Sequence, residues 1–148
     1  MTFYVSLDGR WSAEDASQAA WDVLAERRRQ IDVEGWTPEH DDMHARFEMA
    51  KAAACYAWSA SLPSILRAAL TTPQSGWNEA VIMKRLWPWS YEWWKPKDRR
   101  SDLVRAAALI IAEIERLDRA AAKVEAEITP ADIEPSPDDA TLNQGTSQ

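Results

Sequence analysis

The chain is poor in glycine, histidine and cysteine and has no long apolar run. Of its 148 residues, four are Gly, two are His and one is Cys. So few glycines argue against a turn-rich β-protein, and the abundant Ala, Leu, Glu and Arg favour helix. A lone cysteine, Cys55, excludes an internal disulfide and fits a reducing compartment. No run approaches the ~18 apolar residues of a membrane span, and no signal-peptide pattern opens the chain. We therefore expect an intracellular protein without membrane attachment.

The charge is negative overall and unevenly distributed. A formal net charge of −7 disfavours direct binding to nucleic acid. Residues 32–48 hold six acids and one arginine, whereas residues 84–105 hold seven basic residues and three acids. Residues 129–148 carry four acids, no Lys or Arg, and three prolines. We expect 1–128 to form a single helical domain and 129–148 an acidic disordered tail.

Apolar spacing predicts an all-α fold, a small helical bundle with three principal helices at about 13–33, 38–61 and 102–127. Shorter helices are expected at 64–70 and 77–86, and a loop at 71–76. Residues 87–100 contain two prolines and five aromatics, so they predict a shaped loop with at most one helical turn.

Local signals predict where the principal helices begin and end. Ser12 is a candidate N-cap for the first helix, and Gly35 is expected to end it. Thr37 followed by Pro38 predicts the start of the second helix. Ser101 is a candidate cap for the last helix.

Two apolar stripes are predicted to pack. In the second helix the stripe is Met43, Phe47, Ala50, Ala54, Ala57 and Ser61, with His40 on the same face. In the last helix the stripe is Leu103, Ala107, Ile110, Ile114, Leu117, Ala121, Val124 and Ile128. The alternating four–three spacing of the last helix predicts a coiled-coil-like contact, either inside the bundle or between subunits of a homo-oligomer.

Nine tryptophans are the compositional outlier. One interpretation is that large rings fill the core of a small helical domain. The other is that some of them form a stacking surface for a ligand.

The segment 39–44 concentrates acids and both histidines. On a helix, His40 and His44 lie one turn apart and can meet on one side. They could hold a transition metal with a third ligand such as Glu48, or contact a polar ligand. Capping and surface electrostatics are the remaining interpretation. No metal site is assigned from this pair.

Two acidic motifs resemble an enzyme family. Glu39-x-x-Asp42 and Glu115-x-x-Asp118 are similar to the motifs of all-α nucleotide pyrophosphohydrolases of the MazG type. That resemblance implies carboxylates gathered from facing helices around Mg²⁺, which bridges the substrate phosphates. If Ile114 and Leu117 face the core, Glu115 falls on the outer side of its helix, which would misplace one carboxylate.

Aromatic, basic and acidic residues from three segments predict a nucleotide-like binding site. Trp side chains would stack on the ligand, Arg and Lys would bind its phosphates, and the acids and histidines would form hydrogen bonds with its polar edges. The candidate residues are Arg27, Gln30, Trp36, Glu39, His40, Asp42, His44, Trp89, Trp93, Trp94, Lys95, Arg99 and Arg100. Internal packing and salt bridges between these segments are the alternative.

Several of these segments together resemble a known set of proteins. They are ERRRQ at 26–30, EGWTPEHDD at 34–42, WPW at 87–89, WWKP at 93–96, and the basic helix 99–119. The set is similar to a family of small, largely uncharacterised proteins encoded by bacteriophages and prophages. The resemblance implies an accessory role in the cytoplasm of a bacterial host.

The leading hypothesis from the sequence is a non-catalytic phage protein that sequesters a nucleotide-derived small molecule, such as a host immune signal. It needs no cofactor. The alternatives are the Mg²⁺-dependent pyrophosphohydrolase and an acidic inhibitor of a host protein.

Overall fold

The fold is all-α, as predicted. The computed structural model describes residues 15–70 and 83–128, and these contain no β-strand. The helices are α1 (Gln18–Asp32), α2 (Pro38–Asp42), α3 (Glu48–Ser61), α4 (Ser64–Leu70) and α5 (Arg99–Glu127). Residues 83–86 are also helical, and a 3₁₀ turn spans Tyr91–Trp93. The predicted loop at 71–76 and tail at 129–148 lie outside the described residues. No described helix is both long and apolar enough to cross a membrane.

Helix α1 begins later than predicted. It starts at Gln18 rather than at residue 13, because the Ser17 hydroxyl accepts a hydrogen bond from the Ala20 amide at 3.3 Å and caps it. The predicted end is confirmed, since Gly35 adopts a φ of 75°, a conformation that glycine tolerates best. This turn lets the Trp36 amide donate to the Gln30 carbonyl at 3.0 Å.

The predicted second helix is broken in two. Thr37 caps α2 as expected, its hydroxyl accepting from the His40 amide at 3.3 Å. The helix then ends at Asp42, and α3 begins only at Glu48, after Phe47 takes a left-handed φ of 62°. The single helix 38–61 was therefore wrong. The Glu48 carboxylate supports the break by accepting from the Arg46 amide at 2.8 Å.

The break also displaces the predicted core stripe. Met43 and Phe47 are 72% and 56% exposed, and Ala54 and Ser61 are exposed as well. The stripe was wrong at these four positions because its spacing assumed helical continuity through residues 43–47, whereas Ala57 does pack against the core. Helix α3 instead buries the face that includes Met49.

The core is formed by small residues of two helices and by tryptophan rings. Its buried members are Met49, Ala52, Ala53, Cys55 and Tyr56 from α3, Ala106, Leu109 and Ala112 from α5, and Leu70, Met83, Trp87 and Trp94. Burial raises the pKa of the Cys55 thiol to about 12. Alanine on both α3 and α5 keeps the volume of helix side chains small, which leaves room for large aromatic rings.

Helix α5 buries a different face from the one predicted. Its N-cap is Asp98, whose carboxylate accepts from the Ser101 amide at 2.9 Å, so the Ser101 cap was wrong. The predicted stripe is exposed at Leu103, Ile110 and Ile114, so a contact of this stripe inside the bundle was wrong. The predicted contact between subunits stays a prediction.

Ion pairs explain why α5 buries polar residues. Asp102 is fully buried because its carboxylate accepts from Arg67 of α4 at 2.6 Å. Glu113 and Arg116 are buried as a pair at 2.7 Å. Partnered charges can occupy a buried face that unpaired charges could not.

The chain divides into two compact units, Met1–Arg116 and Leu117–Gln148. The first unit contains the core and the candidate site. In the second unit, Leu117, Val124 and Ile128 are exposed, so the rest of the predicted stripe is exposed too.

The segment 87–98, here called the tryptophan loop, is a shaped loop with one 3₁₀ turn, as predicted. The Trp87 indole donates to the Ser90 carbonyl at 3.1 Å, which closes the loop on itself. The Tyr91 hydroxyl donates to the Leu70 carbonyl, and Arg67 donates to the Lys97 carbonyl at 2.6 Å. The bonds to Leu70 and Arg67 connect both halves of the loop to α4.

Candidate ligand-binding site

A cavity of about 540 Å³ lies in the first unit, within the size range of small-molecule sites. Side chains from the end of α1, from α2 and the residues around it, from α3, from the tryptophan loop and from α5 line it. Its aromatic lining is Trp36, His40, His44, Tyr56, Trp87, Trp89 and Trp93. Its charged lining is Glu26, Arg29, Glu34, Asp41, Lys95 and Arg105.

Trp89 is the centre of the aromatic lining. Its ring centroid lies 5.5 Å from that of His44, 6.4 Å from that of Trp36 and 5.4 Å from that of Trp87. His44 in turn meets His40 edge-on at 5.0 Å. These are ordinary aromatic contact distances, so a planar ligand would stack on the open faces of the rings rather than between them.

Trp89 rests on a buried aromatic base. The Trp87 ring, edge-on to Trp89, lies 5.1 Å from Trp94 and 5.7 Å from Tyr56. Trp87, Trp94 and Tyr56 are all buried in the core. The lining is therefore an extension of the core, which restricts the rotamers of the exposed rings.

Local chain geometry places the other aromatic walls. The Gly35 turn sets Trp36 directly after α1 through the bond to Gln30. Helix α2 is only five residues long, and beyond it the His44 amide donates to the Asp41 carbonyl at 3.0 Å. Helix α2 thus ends just before His44, whose ring contacts Trp89 of the tryptophan loop.

One charged group of the lining is internally neutralised. The Arg29 guanidinium donates to Glu26 at 2.7 Å and to Glu34 at 2.8 Å. Burial alone would raise the pKa of Glu26, but its bonds to Arg29 and the nearby charge of Arg105 outweigh this and lower it. The hydrogen bonds to Glu26 and Glu34 in turn raise the pKa of Arg29. Arg29 therefore orders the wall more than it offers charge to a ligand.

Two other cations of the lining form no short ion pair with the described carboxylates. Lys95 Nζ lies over the Trp93 ring, 5.2 Å from its centroid. The Arg105 guanidinium lies 4.9 Å from the Tyr56 centroid and donates to the Lys95 carbonyl at 2.6 Å. Its Nε lies 3.9 Å from a carboxylate oxygen of Glu26. These two residues are the lining cations best able to contact an anionic group.

Among the described residues, two residues of the lining each have a buried side-chain atom without a hydrogen-bond partner, namely Gln30 Oε1 and His40 Nδ1. Asp41 Oδ1 lies 3.8 Å from His40 Nδ1, which is too far for a hydrogen bond. Unpaired buried polar atoms are uncommon and often mark functional sites.

Seven of the predicted site residues line this one cavity. They are Gln30, Trp36, His40, His44, Trp89, Trp93 and Lys95. The acidic segment and the tryptophan loop, predicted to face each other, thus meet here.

The other six predicted site residues do not line the cavity. Arg27 is buried, and it pairs with Asp41 at 2.8 Å and with Glu115 at 2.7 Å. Trp94 is part of the core, Arg99 donates to the Ala60 and Leu62 carbonyls, and Arg100 pairs with Asp22 at 2.6 Å. Glu39 and Asp42 also lie outside the lining.

The sequence reasoning missed several lining residues. Arg29 and Glu26 lie in the ERRRQ segment, and choosing among its charged residues requires the phase of α1. Arg105 and Tyr56 lie on α5 and α3, in stretches without a motif. Their approach to the cavity depends on helix packing, and no local signal encodes it.

Two carboxylates that were considered as possible metal ligands have other partners in the structure. The Glu48 carboxylate contacts the Arg46 amide, and Glu115 pairs with Arg27. Within residues 15–70 and 83–128, no three His, Cys, Asp or Glu side chains cluster closely enough to hold a metal ion. The expected outward position of Glu115 also needs correction, because Ile114 is exposed and Glu115 is turned toward α1.

Comparison of the chain with protein-family models, curated proteins and solved structures found no match. The case for function therefore rests on the cavity itself.

Proposed function

We propose that this protein binds a nucleotide-derived small molecule in the cavity between α2 and the tryptophan loop. The observation that supports this most is one juxtaposition: the rings of Trp36, His44 and Trp89 share a cavity with the cations Lys95 and Arg105. Flat aromatic faces beside cations are what a heterocyclic base joined to an anionic group requires.

The aromatic wall would supply most of the affinity. Stacking of a base on an aromatic side chain contributes about 1–3 kcal/mol. Trp36 and Trp89 are both partly buried, so each is held in place and still presents surface to the cavity. A wall that is already ordered loses little entropy when the ligand binds.

The charge of the lining limits the anionic part of the ligand. Its three basic residues are matched by three acids, Glu26, Glu34 and Asp41. Because Arg29 is neutralised by Glu26 and Glu34, only Lys95 and Arg105 remain for a phosphate. The proposed ligand therefore carries one or two negative phosphate charges, as nucleoside monophosphates, cyclic dinucleotides and ADP-ribose do, rather than those of a triphosphate.

The proposed role is sequestration without catalysis. The resemblance to phage-encoded proteins extends it to removal of a host nucleotide signal in the bacterial cytoplasm. The pyrophosphohydrolase alternative is less well supported, because Glu115, which it requires, is paired with Arg27. An acidic inhibitor of a host protein would not need the cavity.

Isothermal titration against nucleoside monophosphates, cyclic dinucleotides and ADP-ribose tests the proposal. At least one ligand should bind, and W89A should weaken its binding about 10-fold or more through loss of stacking. The matched control is W21A, an exposed tryptophan of α1 outside the cavity lining. Binding that W21A and W89A affect equally, or no heat with any ligand from folded protein, would count against the proposal.

Two further assays separate the alternatives. Incubation of the protein with deoxynucleoside triphosphates and Mg²⁺, followed by chromatography, should return the nucleotides intact. Release of monophosphate that is lost in E39A would favour the enzyme instead. Capture of a host protein that W89A leaves unchanged, together with a silent titration, would favour the inhibitor.

A further inference from the structure

We propose that the ligand is a dinucleotide, whose second phosphate is bound in a second cavity that adjoins the first. This inference rests on the proposed function and narrows its ligand class. It comes from the exposed basic residues that line the second cavity and from the three side chains that the two cavities share.

The second cavity, of about 300 Å³, lies between α1 and the start of α5. Glu26, Arg29 and Arg105 line both cavities, so the two cavities adjoin at these side chains. The second cavity is open to solvent, since the Arg100 side chain in its lining is 63% exposed. A ligand can therefore reach its charged groups from outside.

The lining of the second cavity carries an excess of positive charge, although the chain as a whole is acidic. Its four basic residues and two acids are Arg29, Lys97, Arg100, Arg105, Asp22 and Glu26. The first cavity has three basic residues and three acids. Because cations outnumber acids only in the second cavity, it is the more favourable place for an anion. None of the described residues that line it is aromatic, so it suits a phosphate rather than a base.

Lys97 and Arg100 are the exposed cations that a phosphate can contact there. The Lys97 backbone is fixed, because its amide donates to Asp102 at 2.8 Å and its carbonyl accepts from Arg67 at 2.6 Å. The Lys97 side chain is exposed, and no carboxylate in the described part of the chain pairs with its amine. Arg100 donates to Asp22 from Nη2 at 2.6 Å, and its guanidinium has further N–H donors.

The spacing of two lysines relates the two cavities to one ligand. Lys95 lines the first cavity and Lys97 lines the second. Two residues of extended chain span at most about 7 Å, so one nucleotide-sized ligand can contact both lysines. The Glu26 carboxylate belongs to the shared wall and repels a phosphate placed at the wall itself. The two phosphates would therefore lie on either side of it, as separate groups rather than as a pyrophosphate.

The test compares ligands that carry about two negative charges each in different arrangements. A nucleoside monophosphate has them on one phosphate, ADP-ribose on two adjacent phosphates, and a cyclic dinucleotide on two separate phosphates. In calorimetry on the full chain, cyclic di-AMP or cyclic di-GMP should bind about 10-fold or more tightly than ADP-ribose and than the monophosphate of its own base, because its second phosphate gains charge-assisted hydrogen bonds. Affinities of both cyclic dinucleotides no higher than those of the monophosphates would overturn the inference.

Two lysine variants test where the second phosphate binds. In K97A the preference for the cyclic dinucleotide should fall to about 2-fold or less, because the bond from the lysine to the phosphate is lost. K51A removes an exposed lysine of α3 outside both cavity linings and should keep the preference. A preference retained in K97A would show that the second base, not the second cavity, provides it. Equal loss in both variants would show that only the net charge matters. Either result would overturn the inference.

The outcomes separate the two proposals. Binding of monophosphates and cyclic dinucleotides with equal affinity overturns only the second phosphate site. Absence of binding by every ligand overturns that site and counts against the proposed function as well. The hydrogen bonds of Lys97 come from its backbone, so K97A should fold. If circular dichroism shows that it does not, the comparison of ligands with the wild-type protein still decides.

Discussion

Two neighbouring arginines of α1 have opposite environments. Arg27 is buried, and its guanidinium bridges the buried carboxylate of Asp41 and that of Glu115. Arg28 is exposed and pairs with Asp32, at 2.7 Å. The sequence RRR shows no difference between them. The difference arises because successive helix positions point about 100° apart.

We predict that R27M lowers the free energy of unfolding by about 3–5 kcal/mol, because it leaves Asp41 buried without a cation. R28M should change it by less than about 1 kcal/mol, as an exposed pair does. Urea denaturation of the two variants measures both values. Equal effects would show that the Arg27 bridge is not important for stability.

Glu26 makes stability depend on pH. Because its pKa is lowered in the folded protein, the unfolded chain takes up its proton first as pH falls. The contribution of Glu26 is therefore complete above its ordinary pKa of 4.5 and is lost as pH falls below that value. Thermal melts from pH 7 to pH 3 should show a steeper loss in wild type than in E26Q. Parallel curves would contradict this.

At the scale of elements, α5 shows how spacing can mislead. Two interleaved faces of this helix both satisfy a four–three pattern. The face with Ile110 and Ile114 is the more apolar, yet the buried face contains alanines, Leu109 and paired charges. By hydrophobicity alone, the face with Ile110 and Ile114 would be predicted to be the buried one. The burial of the other face is explained by its ion pairs, in which Arg67 pairs with Asp102 and Arg116 pairs with Glu113.

Adjacent residues of α5 test this assignment. L109A removes a side chain that is 2% exposed and should cost about 2–5 kcal/mol through the cavity it leaves. I110A alters a side chain that is 47% exposed and should cost within about 0.5 kcal/mol. Urea denaturation at low protein concentration measures both. A larger cost for I110A would place the predicted stripe in a packed contact.

Self-association through the exposed apolar residues of α5 stays a prediction. Sedimentation velocity over a range of concentrations tests it, with I114D as the variant that should dissociate any oligomer. A monomer at all concentrations would contradict the prediction from the heptad spacing.

At the scale of the whole molecule, local signals predicted much of the fold. The all-α class, the Thr37 cap, the Gly35 turn and helix α4 at 64–70 followed from caps, prolines and spacing. The break at 43–47 did not, because no Gly or Pro marks it and Phe47 itself takes the left-handed conformation.

The sequence predicted which segments form the candidate site, but not which of their residues line the cavity. The acidic segment and the tryptophan loop stood out by composition, and both line one cavity. Which arginine faces that cavity depends on helix phase: Arg29 lines it, whereas Arg27, the predicted residue, is buried in ion pairs. Arg105 and Tyr56 reach it through packing of helices distant in sequence.

The central claim is that the Trp36 and Trp89 walls bind a nucleotide-type ligand. The most direct test follows the indole N–H resonances of ¹⁵N-labelled protein during titration with adenosine 5′-monophosphate and with cyclic dinucleotides, with each signal assigned by a Trp→Phe variant. We predict saturable shifts for Trp36 and Trp89 and none for the exposed Trp21. Resonances that do not move with any ligand, or shifts confined to Trp21, would contradict the claim.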